Sequence, residues 1–453
     1  MGEPGQGGAA GILQGVRVVE AGGRLAAPVL GVLLAEQGAE VLRVVPPEPP
    51  ADPVLQAILS RGKTEVPLDL ATAAGREALG RLLAGADLAL TDLGPAARAA
   101  AGLDFEGARA RNPGLITCAI PAFPGGDPRA DEDVPDAVAG AAGCLYERML
   151  GAPRFHELPV PSVLAALFAG SGVAAALRAR LRDGRGQHVE ASLRGSSLFA
   201  QILLLFMKLG VPRGFVPLKL VATPFMRSWR CRDGRWAYLH ITLPSHNAKM
   251  LEVLEAAGLG HHAKALRAVL SEETRRDPSQ VGSIGEAKRI VRVLTTIFRE
   301  RTADEWEATL GRELCCIKVR TVEEWLRDSD AAGMSDAAAV EDPVLGTLVT
   351  PGPGISCPEQ PPVSSPRRIA ADLPSLLARW AVPAAPRSAL PPPGAPEDRR
   401  PPLAGVRVAD LSRIIAGPCG ARVLAELGAE VTSFQSPGAL DWALSFHLMF
   451  NAG

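Results

Sequence analysis

The chain has 453 residues, of which 47% are hydrophobic and 21% are charged. At roughly 100–200 residues per domain, this length predicts about two to four domains with ample material for a buried core. The formal net charge is −1 at pH 7, so no strong field favours nucleic acid or an anionic membrane surface as a partner.

Cysteine usage and the N-terminus indicate the compartment. Seven cysteines occur without a C-x-x-C pair, which argues against a zinc site and a disulfide framework and fits a reducing cytoplasm. Residues 1–11 lack the basic and apolar regions of a signal peptide. The longest nearly apolar run, 163–177, is shorter than the ~20 residues of a membrane span. We therefore expect a soluble cytoplasmic protein with no metal site.

Short β-branched segments alternate with helical segments through the N-terminal part of the chain. The sequence predicts strands at 16–21, 39–45, 65–70, 88–93 and 115–120, and helices at 28–37 and 73–86. Strands separated by helices indicate parallel βαβ units and hence a doubly wound sheet of the α/β class. Ligands of such sheets lie beyond the C-terminal ends of the strands, at helix N-termini.

The remaining segments predict a long helix, a smaller domain and a linker. Residues 1–12 are expected to be a flexible tail, and 161–182 is an Ala-rich helical run. Hairpin-like and helical segments within 206–334 indicate a smaller α+β domain. The extended segment 342–355 is expected to return to the first domain. The proline-rich segment 381–402 is expected to be a semi-rigid linker.

The opening of the chain is repeated near its end. The segment 13–41 recurs at 403–431, and "LLAEQGAEV" returns as "VLAELGAEV". The offset is constant, as between Leu13 and Leu403, and far exceeds the ~20–50 residues of a solenoid repeat. The repeat predicts a duplicated domain whose second copy is incomplete at 403–453. We therefore expect a tandem protein truncated in its second module.

Motifs spread over 13–380 resemble the class III CoA-transferases, the CaiB/BaiF family. In family order they include "LQGVRVVEAGGRLAAPVLGVLLAEQGAEVLRVV", "LSRGKTEVPLDL", "DEDVPDAVAGAAG", "RLRDGRGQHVEASL" and "DPVLGTLVTPGPGI". Family members move coenzyme A between carboxylic acids, or racemise and isomerise acyl-CoAs. The resemblance implies a Rossmann-like large domain built from 13–205 and 335–380, a small central domain at 206–334, and a dimer of two interlocked chains.

The resemblance also implies a coenzyme site. Coenzyme A would lie against the start of the first helix, at Leu25, Ala26 and Ala27. Free backbone N–H groups at a helix N-terminus attract phosphate, so this placement is physically reasonable.

Basic residues are expected to complete that site. By resemblance, Arg43, Arg61 and Lys63 would neutralise the phosphates of the coenzyme. A solvated loop before a strand is the alternative interpretation of Arg61 and Lys63. Asp92 stands where the family usually has Asn, and it adds a negative charge near the expected phosphates.

A second departure concerns the catalytic residue. The family's aspartate lies some twenty-two residues before the "GRGQ" motif, and the count back from Gly184 reaches Ser162. That carboxylate would attack the thioester and form a mixed anhydride, which a serine hydroxyl cannot do. Glu157 could substitute only if its loop moved. No His occurs between positions 1 and 155, so racemisation by a His and Asp pair is not expected.

Two functions stay open at this point. One is a CoA-transferase, acting on an acyl-CoA and a carboxylic acid, whose active carboxylate lies in the second module. The other is a non-catalytic acyl-CoA-binding or structural half of a tandem protein. The expected assembly is an interlocked homodimer or an intrachain pseudo-dimer of two modules. An Asp at the position of the second module equivalent to Ser162 would distinguish the two functions.

Overall fold

The computed structural model describes residues 11–48, 50–148, 152–202, 224–278, 281–332, 337–355, 357, 365–370, 372–381, 400–412 and 415–434.

The large sheet is made of seven parallel strands. Numbered in chain order, they are β1 (Arg17–Ala21), β2 (Glu40–Val45), β3 (Thr64–Pro67), β4 (Leu88–Thr91), β5 (Ile116–Ala119), β6 (His188–Glu190) and β12 (Arg368–Ile369). Their spatial order is β12-β3-β2-β1-β4-β5-β6, so the late strand β12 extends the edge beside β3. The direction of winding reverses at β1, between β2 and β4. The prediction of a doubly wound parallel sheet built from both ends of the module is confirmed.

Helices cover both faces of this sheet. They are α1 (Ala26–Glu36), α2 (Pro53–Leu59), α3 (Ala73–Gly85), α4 (Pro95–Ala101), α5 (Phe105–Arg111), α6 (Asp136–Ala142), α7 (Val160–Asp183), α8 (Leu193–Ala200) and α15 (Leu373–Trp380). Val18 and Val19 are both fully buried but belong to different cores, because successive side chains of a strand point to opposite faces. One core packs α1 and α7, and the other packs α3 and α15.

Helix α7 agrees with the predicted helix at 161–182. Its alanines Ala165 and Ala169 are fully buried against α1, and Gly170 lies close to Leu30. Small residues on one face therefore let the two helices approach closely. Among the described residues, α7 is the one helix whose length and mean hydropathy of 1.9 would also suit a membrane span, a test that a core helix meets equally well.

A separate core forms between Phe225 and Cys316. Its sheet is antiparallel, with β7 (Met226–Arg230), β8 (Trp236–His240) and β9 (Cys315–Lys318). Its helices are α9 (Pro244–Ala256), α10 (Gly260–Val269), α11 (Glu272–Arg276), α12 (Ile284–Phe298), α13 (Ala303–Leu310) and α14 (Val322–Ala332). The smaller α+β domain is thereby confirmed. Its exact boundaries at 206 and 334 stay a prediction, since 203–223 and 333–336 lie outside the described residues.

An antiparallel hairpin of β10 (Ala337–Asp342) and β11 (Gly346–Pro351) follows. It contacts the large domain through ion pairs and hydrogen bonds: Arg367 binds both Asp342 and Glu65, and Arg61 binds Thr350. All of these side chains are buried, so they tie the hairpin firmly to β3. Most of the predicted linker, 382–399, lies outside the described residues.

The repeated segment folds like its first copy. It contains β13 (Arg407–Asp410), α16 (Ala416–Glu426) and β14 (Glu430–Ser433). Arg407 pairs with Glu430 in the parallel register in which Arg17 pairs with Glu40. The same β-α-β unit therefore occurs twice in this chain.

The second copy lies against α7 and α8. The Arg182 guanidinium donates hydrogen bonds to the carbonyls of Pro401 and Pro402, at 3.2 and 3.4 Å. The guanidinium of Arg422 lies 5.7 Å from the centroid of the Phe199 ring. Contacts of Arg182 and Arg422 thus join the second copy to α7 and α8.

Candidate active site

Ser162 lies in the first turn of α7, where its side chain is 1% exposed. Its hydroxyl donates a hydrogen bond of 2.5 Å to Oδ1 of Asp136, the first residue of α6. Its backbone N–H lies 3.4 Å from the other carboxylate oxygen. The two helix starts therefore bring a hydroxyl and a carboxylate together at the position expected for the nucleophile.

Tyr146 lies within electrostatic range of Asp136. Burial, and secondarily the charge of Asp136, raises the pKa of the Tyr146 hydroxyl. The Tyr146 ring packs edge-on against His156, with centroids 5.2 Å apart. Glu157, the suggested substitute nucleophile, is exposed. Sequence reasoning missed Asp136, although an acidic residue directly after a proline, as here after Pro135, is a recognisable signal of a helix start.

The start of α1 is occupied by an internal carboxylate. Leu25 is the N-cap and provides no side-chain hydrogen bond, while Ala26 and Ala27 are fully buried. Asp92, which directly follows β4, accepts hydrogen bonds from the backbone N–H groups of Gly23 at 3.1 Å and Arg24 at 2.9 Å.

The Asp92 carboxylate is 1% exposed. Burial raises its pKa to about 6, against the opposing effect of the two backbone hydrogen bonds. A side chain at Gly22 would overlap the carboxylate, so the loop needs glycine there.

Two of the predicted phosphate-binding cations meet inside the protein. Lys63 Nζ lies 2.6 Å from one oxygen of Glu20, and Arg43 Nε lies 3.1 Å from the other. Lys63 also donates to the carbonyl of Pro28 at 2.8 Å. All three charged side chains are buried, and burial lowers the pKa of Lys63 to about 8. Gly31 of α1 leaves the space that the Glu20 and Lys63 pair fills.

The third predicted cation, Arg61, lies apart from these two. Its guanidinium binds the Glu36 carboxylate at the end of α1, the Thr350 hydroxyl and the Pro351 carbonyl. Burial lowers its pKa. The structure therefore groups Arg43 with Lys63, places Arg61 beside the β11 hairpin, and gives each cation an internal carboxylate.

A crevice opens where the strand order reverses. Its volume is about 320 Å³, and its lining includes Gly22, Gly23, Glu48, Asp69 and Leu93. These residues follow the C-terminal ends of β1 to β4, which is where open α/β sheets bind ligands. Among the described residues that line it, none is Lys, Arg or His.

Across the described ranges, no group of three or more His, Cys, Asp or Glu side chains is arranged to hold a metal ion.

A doubly wound sheet with a crevice at the reversal point defines a Rossmann-like α/β fold, a class in which ligands bind at that crevice. The sequence model of CoA-transferase family III matches residues 13–368 and 403–451. The chain belongs to CoA-transferase family III.

Named relatives agree with this assignment. The CoA-transferase/lyase DddD of Marinomonas sp. is 26% identical over 469 residues, which cover 93% of this chain. This chain spans only 56% of the length of that relative. The cinnamoyl-CoA:phenyllactate CoA-transferase of Clostridium sporogenes is 26% identical and matches 65% of this chain and 75% of its own length.

A solved structure is similar in fold. The crystal structure of a CAIB/BAIF family protein from Brucella suis superposes with a TM-score of 0.66 and 21% identity, covering 82% of this chain and 100% of its own. At this identity the similarity concerns the fold alone.

Proposed function

We propose that this chain is part of a tandem CoA-transferase that moves coenzyme A between an acyl-CoA and a carboxylic acid. Its first module supplies a coenzyme-binding half without a nucleophile at position 162. The observation that carries this proposal is the buried residue Ser162 at the start of α7, whose hydroxyl donates a hydrogen bond to Asp136. A carboxylate at that place would be the attacking group of the family reaction.

The chemistry explains why a hydroxyl cannot replace the carboxylate. A carboxylate attacks the thioester carbonyl, expels the coenzyme A thiolate and forms a mixed anhydride. The thiolate then attacks the enzyme's own carbonyl, which releases the substrate acid and leaves an enzyme-bound thioester. Attack by Ser162 would instead form an ester, which has no activated enzyme carbonyl for the thiolate to attack. Ser162 therefore cannot carry the transfer reaction, and we expect no acyl group on it.

The duplicated fold supports a nucleophile elsewhere in a tandem protein. Residues 403–434 repeat the β-α-β opening in the same register, and the family model matches 403–451 as well as 13–368. Two such modules in one chain would form a pseudo-dimer in place of two interlocked chains. Only one of them then needs the catalytic carboxylate.

A purely supporting role is the second candidate. It is favoured by the internal ion pairs of Arg43, Lys63 and Arg61, which leave these cations neutralised by Glu20 and Glu36. Under this alternative the first module would stabilise its neighbour and would not bind coenzyme A.

The two candidates differ in a binding and trapping experiment. Calorimetry with coenzyme A should detect weak binding if the module is a coenzyme-binding half. Incubation with acetyl-CoA or succinyl-CoA, followed by hydroxylamine and intact-mass analysis, should reveal no covalent adduct, and Ser162→Ala should behave like the wild type. An adduct mapped to Ser162 or Glu157 would contradict the proposal. Absence of coenzyme A binding in the folded chain would favour the supporting role.

A further inference from the structure

Asp92 occupies the place that an anionic ligand would take at α1. Backbone N–H groups before a helix carry partial positive charge and form a natural anion site. Here the groups of Gly23 and Arg24 already donate to the two oxygens of Asp92. Leu25 provides no side-chain cap, so the capping anion comes from the end of a neighbouring strand.

The crevice beside Asp92 has the wrong charge for phosphate groups. Gly22 and Gly23 both line the crevice. Gly22 lies against the Asp92 carboxylate, and the backbone N–H of Gly23 donates a hydrogen bond to it. Glu48 and Asp69 add two further carboxylates to that lining, and both are exposed. A phosphate entering here would meet like charge instead of the cations that usually bind it.

The charged groups around Asp92 do not remove this negative charge. Glu20 acts on it as a second negative charge, and Arg24 is the positive one. Glu20 is itself bound by Lys63 and Arg43, while the Arg24 guanidinium is bound by Asp133 and by the carbonyl of Val134. The nearby positive charges of Lys63, Arg43 and Arg24 are therefore already paired with carboxylates of the protein.

We propose that Asp92 is a built-in anion that competes with the phosphates of coenzyme A for the N-terminus of α1, and so sets how weakly this module binds the coenzyme. This inference rests on the proposed function, because it assumes that the crevice is the coenzyme site. Asp92 is then a specificity-determining residue: it keeps the fold of the site while lowering its affinity for phosphate-bearing ligands.

The test is the affinity for 3′-dephospho-CoA, measured by calorimetry between pH 5 and pH 8. This probe lacks the phosphate monoester whose second ionisation near pH 6 would obscure the result. Asp92→Asn keeps the shape and removes the charge. Because like charges a few ångströms apart in a partly buried site repel strongly, we expect Asp92→Asn to bind at least ~10-fold more tightly at pH 7.5.

The pH dependence of the affinity distinguishes this role of Asp92 from a purely structural one, which would not change with pH. Wild-type affinity should rise toward pH 5, as Asp92 becomes protonated, while Asp92→Asn should change little over the same range. Asp87→Asn is the matched control. Asp87 directly precedes β4, whereas Asp92 directly follows it. Asp87 is also buried, and its carboxylate accepts a hydrogen bond from the backbone N–H of Arg17. This variant should leave affinity and its pH dependence as in the wild type.

A further variant separates this inference from the proposed function. Gly23 lines the crevice, and a side chain at this position would meet open space. Gly23→Trp should therefore fill the crevice without disturbing the Asp92 hydrogen bonds. If Gly23→Trp abolishes binding while Asp92→Asn and wild type bind alike at every pH, the site is right and the inference about Asp92 is overturned. If neither wild type nor Asp92→Asn binds the probe, both the inference and the coenzyme-binding half are overturned.

Discussion

The Ser162 hydroxyl and the Asp136 carboxylate form a part-buried hydrogen bond of 2.5 Å between the first turns of two helices. Ser162→Asp would place a second carboxylate against Asp136, and like charges at this separation raise the pKa of one of them. A carboxyl with a raised folded-state pKa binds more protons when folded, so its contribution to stability falls as the pH rises. We expect the melting temperature of Ser162→Asp, relative to wild type, to be lower at pH 8 than at pH 5.

The double variant Ser162→Asp with Asp136→Asn serves as the control for this prediction. It removes the negative charge at position 136 and keeps the new carboxylate at position 162. Its melting temperature relative to wild type should therefore no longer depend on pH. If position 162 is correctly placed, both variants should yield a hydroxylamine-sensitive adduct with succinyl-CoA that wild type lacks. An unchanged pH profile in the single variant would show that the two side chains are not in contact.

Lys63 and Glu20 form a buried pair whose loss should be costly. Lys63→Met leaves Glu20 with Arg43 as its one remaining cation among the described contacts. Removing one partner of a buried ion pair typically destabilises a protein by about 3–5 kcal/mol. Urea unfolding at pH 7 should reveal a loss of this order.

The matched control is Lys249→Met, because Lys249 pairs with Glu313 at the surface of the smaller domain. Exposed pairs are worth at most about 1 kcal/mol, so this variant should stay close to wild type. Equal effects of the two substitutions would mean that Lys63 is solvated, as the alternative sequence interpretation held.

Asp92 should make stability depend on pH in the acidic range. Its folded-state pKa of about 6 lies above the ordinary value of 3.8 for an aspartate. Between these values the folded state binds more protons, so the free energy of unfolding falls as the pH rises through this window. At about 1.4 kcal/mol per pKa unit, the effect is on the order of 3 kcal/mol.

Asp92→Asn lacks this titration. The stability of the variant relative to wild type should therefore increase from pH 4 to pH 7, as measured by urea unfolding across that range. A difference that stays constant with pH would mean that the carboxylate is not buried in solution.

Arg182 is expected to hold the second copy against α7. Arg182→Ala removes its hydrogen bonds to the carbonyls of Pro401 and Pro402 and should speed thermolysin cleavage within 400–434. Arg178→Ala, one turn earlier on the exposed side of the same helix, should not. Fragments identified by mass spectrometry would test this, and equal cleavage rates for the two variants would argue against the contact.

Local patterns in the sequence were sufficient for the central strands and the longer helices of the large domain. The short β-branched segment at 16–21 predicts a strand, and the structure places its neighbouring residues Val18 and Val19 in two different cores. The long helix was predicted at 161–182 and runs from Val160 to Asp183. Short helices such as α2 were not predicted, because seven residues carry too little periodicity.

The site was less accessible to sequence reasoning. Resemblance placed Ser162 and the expected cations in the chain, but no local pattern indicated that Lys63 and Arg43 would turn inward to one carboxylate. That outcome requires Glu20, 43 positions before Lys63, and the space left by Gly31. Whether these cations contact coenzyme phosphates stays a prediction.

The sequence by itself determined the type and order of the central strands and the longer helices, the family and the repeated opening, because hydrophobic period and motif order are properties of neighbouring residues. The tertiary structure decided the partners: Asp136 for Ser162, the N–H groups of Gly23 and Arg24 for Asp92, and β3 for the distant strand β12. These pairs join residues that are 26 to more than 300 positions apart. Buried polar groups must find partners wherever packing places them, and packing is set by the whole fold.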